Sequence, residues 1–121
     1  MEKTFKQYVI NNIKDVLVYF DAPSCKFCKE FEQKLAKLAK ALKESNPNLL
    51  IAKMDGTVND VEEYQIFQYP TIKFYPGNTK DKEPLTFIPT NDVNESLGFI
   101  KKNAYNKINE IDAIQGRLTF D

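Results

Sequence analysis

Val16-Leu17-Val18-Tyr19-Phe20-Asp21-Ala22-Pro23-Ser24-Cys25-Lys26-Phe27-Cys28 joins two periodicities in this chain of 121 residues. Val16 to Phe20 is an unbroken apolar run, rich in β-branched and aromatic residues, and predicts a buried strand. Asp21, Pro23 and Ser24 then break the pattern. From Ser24 to about Glu44, Cys28, Phe31, Leu35, Leu38, Ala39 and Leu42 recur on one face at helical spacing. The only two cysteines of the chain, Cys25 and Cys28, therefore stand where a strand hands over to the first turn of a helix.

That junction has chemical consequences. The first N–H groups of a helix lack partners inside it, and the helix dipole adds partial positive charge there. A thiolate at this end is stabilised, so its pKa falls. Cys25 is expected at the exposed tip, with Cys28 one turn deeper on the inward face. Two cysteines at i and i+3 can close a disulfide with little movement. Either thiol can then form a bond that the other resolves, which is the layout of a dithiol–disulfide exchanger. Two other readings of the pair stay open. One is half of a zinc site: with no histidine and no further cysteine, four ligands require two copies of the chain. The other is a purely structural bridge, which would close too short a loop to constrain the unfolded chain much.

Length and charge bound the rest. The chain is large enough for one hydrophobic core. Seventeen basic residues balance seventeen acidic ones, so nothing steers it toward nucleic acid or an anionic membrane. Lys34, Lys37, Lys40 and Lys43 read as the solvated face of the long helix. No apolar run reaches membrane-spanning length, and no secretory signal opens the chain. The sequon Asn94-Glu95-Ser96 is too short a pattern to carry weight.

Around the central stretch the elements follow in order. Thr4 to about Asn11 predicts a short helix with Phe5, Tyr8 and Val9 inward, and 11–15 a turn. Leu49 to Met54 reads as a largely buried second strand. Asn59 or Asp60 caps a short helix over Val61 to Phe67. Ile72 to Tyr75 and Leu85 to Ile88 form a hairpin across Pro76-Gly77-Asn78. Asn91 or Asp92 caps a last helix carrying Val93, Leu97, Ile100 and Ala104. The strand–helix–strand start implies a parallel pair with a right-handed crossover. Residues 1–105 are read as one domain and 106–121 as a C-terminal extension or linker, although Arg117-Leu118-Thr119-Phe120 alternates like a strand that could cover an open sheet edge.

This order, with Cys25-Lys26-Phe27-Cys28 at the junction and Tyr69-Pro70-Thr71 before the hairpin, resembles the thioredoxin fold. Over about residues 2 to 103 the chain is most similar to a catalytic-type domain of the protein disulfide isomerase family. Asp15-Val16-Leu17-Val18, Ala22-Pro23, Ile51-Ala52-Lys53-Met54-Asp55 and Asn59-Asp60-Val61 carry that likeness. The resemblance implies an α/β fold with a central mixed sheet of four to five strands flanked by helices. The chain begins after the usual first edge strand, which would leave Leu49 to Met54 toward an edge. It implies Cys25 as nucleophile and Cys28 as resolving thiol, Pro70 as a cis-proline against the pair, and Tyr69 pairing an extended substrate strand. It implies cysteine-containing client polypeptides as partners, no cofactor beyond the cysteine pair, the endoplasmic reticulum lumen as the setting, and a parent protein with further domains.

The departures from the family pattern matter as much. Tryptophan before the first cysteine and glycine-histidine between the two are replaced by Ser24, Lys26 and Phe27. Lys26 can partly stand in for the histidine's charge; Phe27 is either a helix-start side chain resting on the surface or an apolar contact for clients. The family's buried acid beneath the second cysteine is Tyr19 here, whose phenol is no base at neutral pH but could relay a proton through water. The acid's usual lysine partner matches Lys53. Asp21, two residues along the same strand face, is either the replacement carboxylate with Lys53 as counter-ion or a solvated loop residue. The arginine before the last helix corresponds to Asn91. With three accessory groups missing, exchange of reduced efficiency is expected, with slow resolution by Cys28. A client-binding, chaperone-like domain with an idle cysteine pair is the alternative.

Overall fold

The computed structural model describes residues 5–57 and 66–109. A short π-type helical segment, Lys6–Ile10, leads into β1 (Asp15–Asp21) and α1 (Lys26–Ser45). Then come β2 (Leu49–Asp55), β3 (Thr71–Tyr75), β4 (Leu85–Phe87) and α2 (Val93–Asn103). Among the described residues the sheet has four strands in the order β2-β1-β3-β4. β1 runs parallel to β2 and antiparallel to β3, and β4 closes the hairpin on β3. Thr4 and the helix expected over Val61 to Phe67 fall wholly or mostly outside the described residues; Phe67 itself is non-helical and 87% exposed.

β1 is buried along nearly its whole length because both of its faces are covered. Alternation divides its side chains. Leu17 and Tyr19 join Phe31, Leu35, Leu38 and Leu42 of α1 and Ile100 of α2 in one core. Val16, Val18 and Phe20 join Phe5, Val9 and Tyr75 in another on the opposite side. The Phe5 and Tyr75 rings meet edge to face at 5.8 Å. Tyr8, expected inward with them, is instead 54% exposed; the wider π-type winding takes it off the face that Phe5 and Val9 share.

Two further expectations are corrected. β2 is not largely buried: only Leu49 is, and the rest of the strand is half-buried or exposed, because β2 lies at the sheet edge. Asp15 is not a turn residue but the fully buried first residue of β1. Among the described residues, four N–H groups donate to its carboxylate. Gly77 N and Tyr105 N reach Oδ1 at 2.7 and 2.9 Å; Asn106 N and Nδ2 reach Oδ2 at 2.9 and 3.0 Å. One side chain thus ties β1 to the turn after β3 and to the segment after α2. Nearby, the Lys80 ammonium donates to Val9 O at 2.6 Å and to Asn12 O, fastening the N-terminal segment. Burial pulls the Lys80 pKa down, and the Asp15 carboxylate opposes that shift.

Gly77 is needed for space. A Cβ there would lie 2.4 Å from Ile13 O, a backbone atom that cannot swing aside. Gly77→Ala is therefore expected to destabilise the fold by about 2 kcal/mol through overpacking, with weakening of the Gly77–Asp15 bond included. A thermal melt shows it; a midpoint within about 1 °C of the parent's would contradict the close approach.

Candidate active site

The end of β1 and the start of α1 place the cysteines. Cys25 is the N-cap of α1, in extended conformation, and its Sγ accepts from Cys28 N at 3.0 Å. A cap side chain satisfies one of the otherwise orphaned N–H groups, and here the capping atom is the reactive sulfur. Cys25 and Cys28 are joined as a disulfide, with Cα atoms 5.2 Å apart. Cys25 is partly exposed and Cys28 is buried, the asymmetry expected of an attacking and a resolving thiol. Lys26 is exposed in the first turn. Phe27 is half-buried and stacks on Phe31, centroids 6.1 Å apart and 17° between planes, so most of its ring serves α1 packing.

Tyr19 lies beneath the pair. Its ring is 1% exposed, and its hydroxyl donates to the backbone oxygen of Cys28 at 3.0 Å. The hydroxyl proton is thus engaged with the main chain. Burial pushes the phenol pKa up, and the carboxylates of Asp21 and Glu32 push it further. Tyr19 cannot act as a base here; it positions the first turn of α1.

In the β1–β2 register Tyr19 stands opposite Lys53. Lys53 reaches two carboxylates: Glu32 at 2.7 Å and Asp21 at 3.7 Å. Its hydrogen bond to Glu32 is the main cause that raises the Lys53 pKa. The Asp21 side chain is only 15% exposed, so it is not a solvated loop residue. Glu32 was not anticipated from the sequence. It follows Cys28 by four residues, one helical turn, which would bring it above a cross-strand lysine only if the crossover geometry were known. Asn91 offers its backbone oxygen to Lys34 Nζ at 3.3 Å, linking α1 to the approach to α2.

The Tyr69–Pro70 peptide bond is cis. Tyr69 is partly buried against the same core as Cys25, Phe27 and Cys28, and Thr71 Oγ1 donates to Gln68 O at 2.6 Å within this loop. Gly56 faces the Tyr69 ring so closely that a Cβ there would meet Cε1 at 2.8 Å. Among the described residues no group of three or more histidine, cysteine, aspartate or glutamate side chains is placed to hold a metal ion, and no helix is long and apolar enough to cross a membrane.

Comparison with known proteins agrees with this geometry. The thioredoxin family model matches residues 1–97. The chain is 42% identical over 102 residues to protein disulfide isomerase-like 1-4 of Oryza sativa subsp. japonica, covering 84% of this chain and 18% of that protein. It is 42% identical over 105 residues to protein disulfide-isomerase A4 of Bos taurus, covering 84% of this chain and 16% of that one. The chain thus spans less than a fifth of the length of these relatives. Among solved structures, the first thioredoxin domain of mouse protein disulfide-isomerase A4 superposes with a TM-score of 0.69 at 25% identity, over 84% of this chain and 70% of that one.

Proposed function

The chain belongs to the thioredoxin family, and from that premise we propose that it exchanges disulfides with cysteine-containing client polypeptides through Cys25 and Cys28. The observation that carries this reading is the Cys25–Cys28 disulfide at the start of α1, with Cys25 Sγ accepting the Cys28 N–H. The N–H and the helix end stabilise negative charge on that sulfur. In the reduced protein the Cys25 thiolate attacks one sulfur of a client disulfide. The client S–S bond breaks, a Cys25–client bond forms, and the released client thiolate takes up a proton. Cys28 then loses its proton and attacks Cys25 Sγ. The second client thiolate leaves, and the client has gained two electrons while the pair becomes the disulfide of this structure. Run backward, the same steps oxidise a client dithiol. The pair is itself the redox group.

The second step is proposed to be the slow one. The buried position where the family carries an acid holds Tyr19, whose hydroxyl is engaged with Cys28 O. The carboxylate two residues along that strand face is Asp21, steadied by Lys53. Asp21→Asn is expected to lengthen the life of a mixed disulfide on Cys25 by roughly tenfold, within the range of general-base effects; an unchanged lifetime would sink this role for Asp21. The cis Tyr69–Pro70 segment beside the same core is the proposed docking strand for clients. The proposed setting is the endoplasmic reticulum lumen, supported by likeness to disulfide isomerases, and the proposed wider context is a longer protein.

The direct test is alkylation of the reduced protein as a function of pH. A fast-reacting thiol at Cys25 with a midpoint well below about 8.5, the free-cysteine value, is expected. A midpoint at or above that value would show a thiol the site does not activate, and the exchange reading would fall to the client-binding one.

A further inference from the structure

The first turn of α2 holds Asn94-Glu95-Ser96, the one Asn-x-Ser/Thr stretch in the chain. Such a stretch is the acceptor pattern for an N-linked oligosaccharide, and as a bare pattern it is weak. Its surroundings in the fold add what the pattern lacks. Ser96 is 1% exposed, and its Oγ is buried with no hydrogen-bond partner among the described residues. A hydroxyl left in that state destabilises the fold. Alanine is as small, has no polar atom to bury, and is the better helix former. Packing thus gives no reason for serine here; a requirement met before α2 packs does.

The folded chain also has room for a sugar at the other end of the pattern. Asn94 is exposed, and its backbone N–H is held by the capping Asp92 Oδ1 at 2.9 Å. The cap needs only the main chain of Asn94, so its carboxamide can be modified without loosening the helix start. Four residues on, on the same helix face, Gly98 is exposed, and a Cβ built there would meet no described atom within 4 Å. Glycine inside a helix is unfavourable, and here it leaves bare surface beside Asn94.

We propose that Asn94 is an acceptor site for an N-linked oligosaccharide, modified while residues 94–96 are extended and before α2 closes over Ser96. The donor is an oligosaccharide carried on a polyprenyl diphosphate. Asn94 Nδ2 attacks the anomeric carbon of its first sugar. A C–N bond forms, the C–O bond to the diphosphate breaks, Nδ2 gives up one proton, and the lipid diphosphate leaves. The Ser96 hydroxyl completes the acceptor pattern in the extended chain, and once α2 packs it is left buried without a partner. The inference rests on the proposed lumenal setting and uses neither cysteine.

Routing the full chain through the lumen of a eukaryotic host, behind a cleavable signal peptide, tests the site apart from the natural address. The parent chain is expected to run as a heavier band that a peptide N-glycosidase returns to the unmodified position. The heavier band is expected to be lost in Asn94→Gln and in Ser96→Ala. A parent chain that passes through the lumen unmodified would overturn the proposal, as would a heavier band that persists in Asn94→Gln. A second measurement uses the sugar-free chain made in bacteria, where Ser96→Ala is expected to melt about 3 °C above the parent. A lower midpoint would show that the fold itself uses the hydroxyl and would remove the ground for the proposal. Modification of the routed chain, with the natural protein found outside the lumen, would fail the setting and leave the acceptor site standing.

Discussion

Serine in place of Cys25 is expected to reduce disulfide exchange to the uncatalysed rate, while serine in place of Cys28 leaves a client trapped on Cys25. A hydroxyl at the Cys25 position offers no thiolate to attack a client sulfur, so no mixed disulfide can begin. Little else should change, because serine is a good N-cap and can still accept the Cys28 N–H. Cys28→Ser removes only the second attack. Cys28 is buried beside Phe31 and Leu35, so its exchange for serine adds a small packing cost without touching the exposed sulfur. Non-reducing electrophoresis with a disulfide-containing client reads both outcomes: no adduct for Cys25→Ser, a persistent one for Cys28→Ser. Exchange at the parent rate in Cys25→Ser would rule out Cys25 as nucleophile. Loss of exchange is what the exchange reading requires, and client binding retained in the variant is what the client-binding reading requires. Absence of exchange in the parent as well, with binding intact, would favour a client-binding domain.

The largest expected effect on stability lies away from the cysteines. Asp15→Asn is expected to cost about 3 kcal/mol, from the worth of hydrogen bonds to a buried charged acceptor and the penalty of facing donors with donors. The amide oxygen can keep the bonds from Gly77 N and Tyr105 N. Its NH2 group then faces Asn106 N and Asn106 Nδ2, both donors, in a site that water does not reach. For a domain of this size that is a fall of roughly 10 °C in melting temperature. Thiol reactivity of the variant, measured well below its melting point, should match the parent, since Asp15 and Asp21 stand at opposite ends of β1. A melting temperature unchanged within about 2 °C would contradict the buried-acceptor account.

The two effects separate what the chain needs for chemistry from what it needs for folding. The cysteines occupy a helix start that many sequences could supply. Asp15 joins three segments distant along the chain, around residues 15, 77 and 105, and its loss cannot be made up locally. Lys80 acts in the same region, holding Val9 O and Asn12 O, so the end of the sheet away from the disulfide is fastened largely by polar side chains. The disulfide end is instead built on apolar contacts, with Phe27, Phe31 and Tyr19 in sequence beneath it.

Local signals in the sequence determined a good deal. Apolar runs and 3.6-residue spacing marked β1, α1, β3 and α2 within a few residues, because pattern follows burial; β4, which is mostly exposed, was marked by its place after the turn of the hairpin. The strand-to-helix junction located Cys25 and Cys28 and their inward–outward order, since a cap and an i+3 position are fixed by helix geometry alone. Resemblance added Pro70, whose cis bond no local rule would have suggested. Tertiary structure alone decided the rest. Asp15 looked like turn chemistry because its donors come from 62 to 91 residues away in sequence. Lys53 looked like the partner of Asp21, yet its closer partner is Glu32 across the β1–α1–β2 crossover, a distance set by how α1 lies on the sheet. β2 looked largely buried because it is apolar; resemblance set it toward an edge, and hydrophobicity alone does not encode strand order. A sequence states which faces must be buried, and only the packed chain states against what.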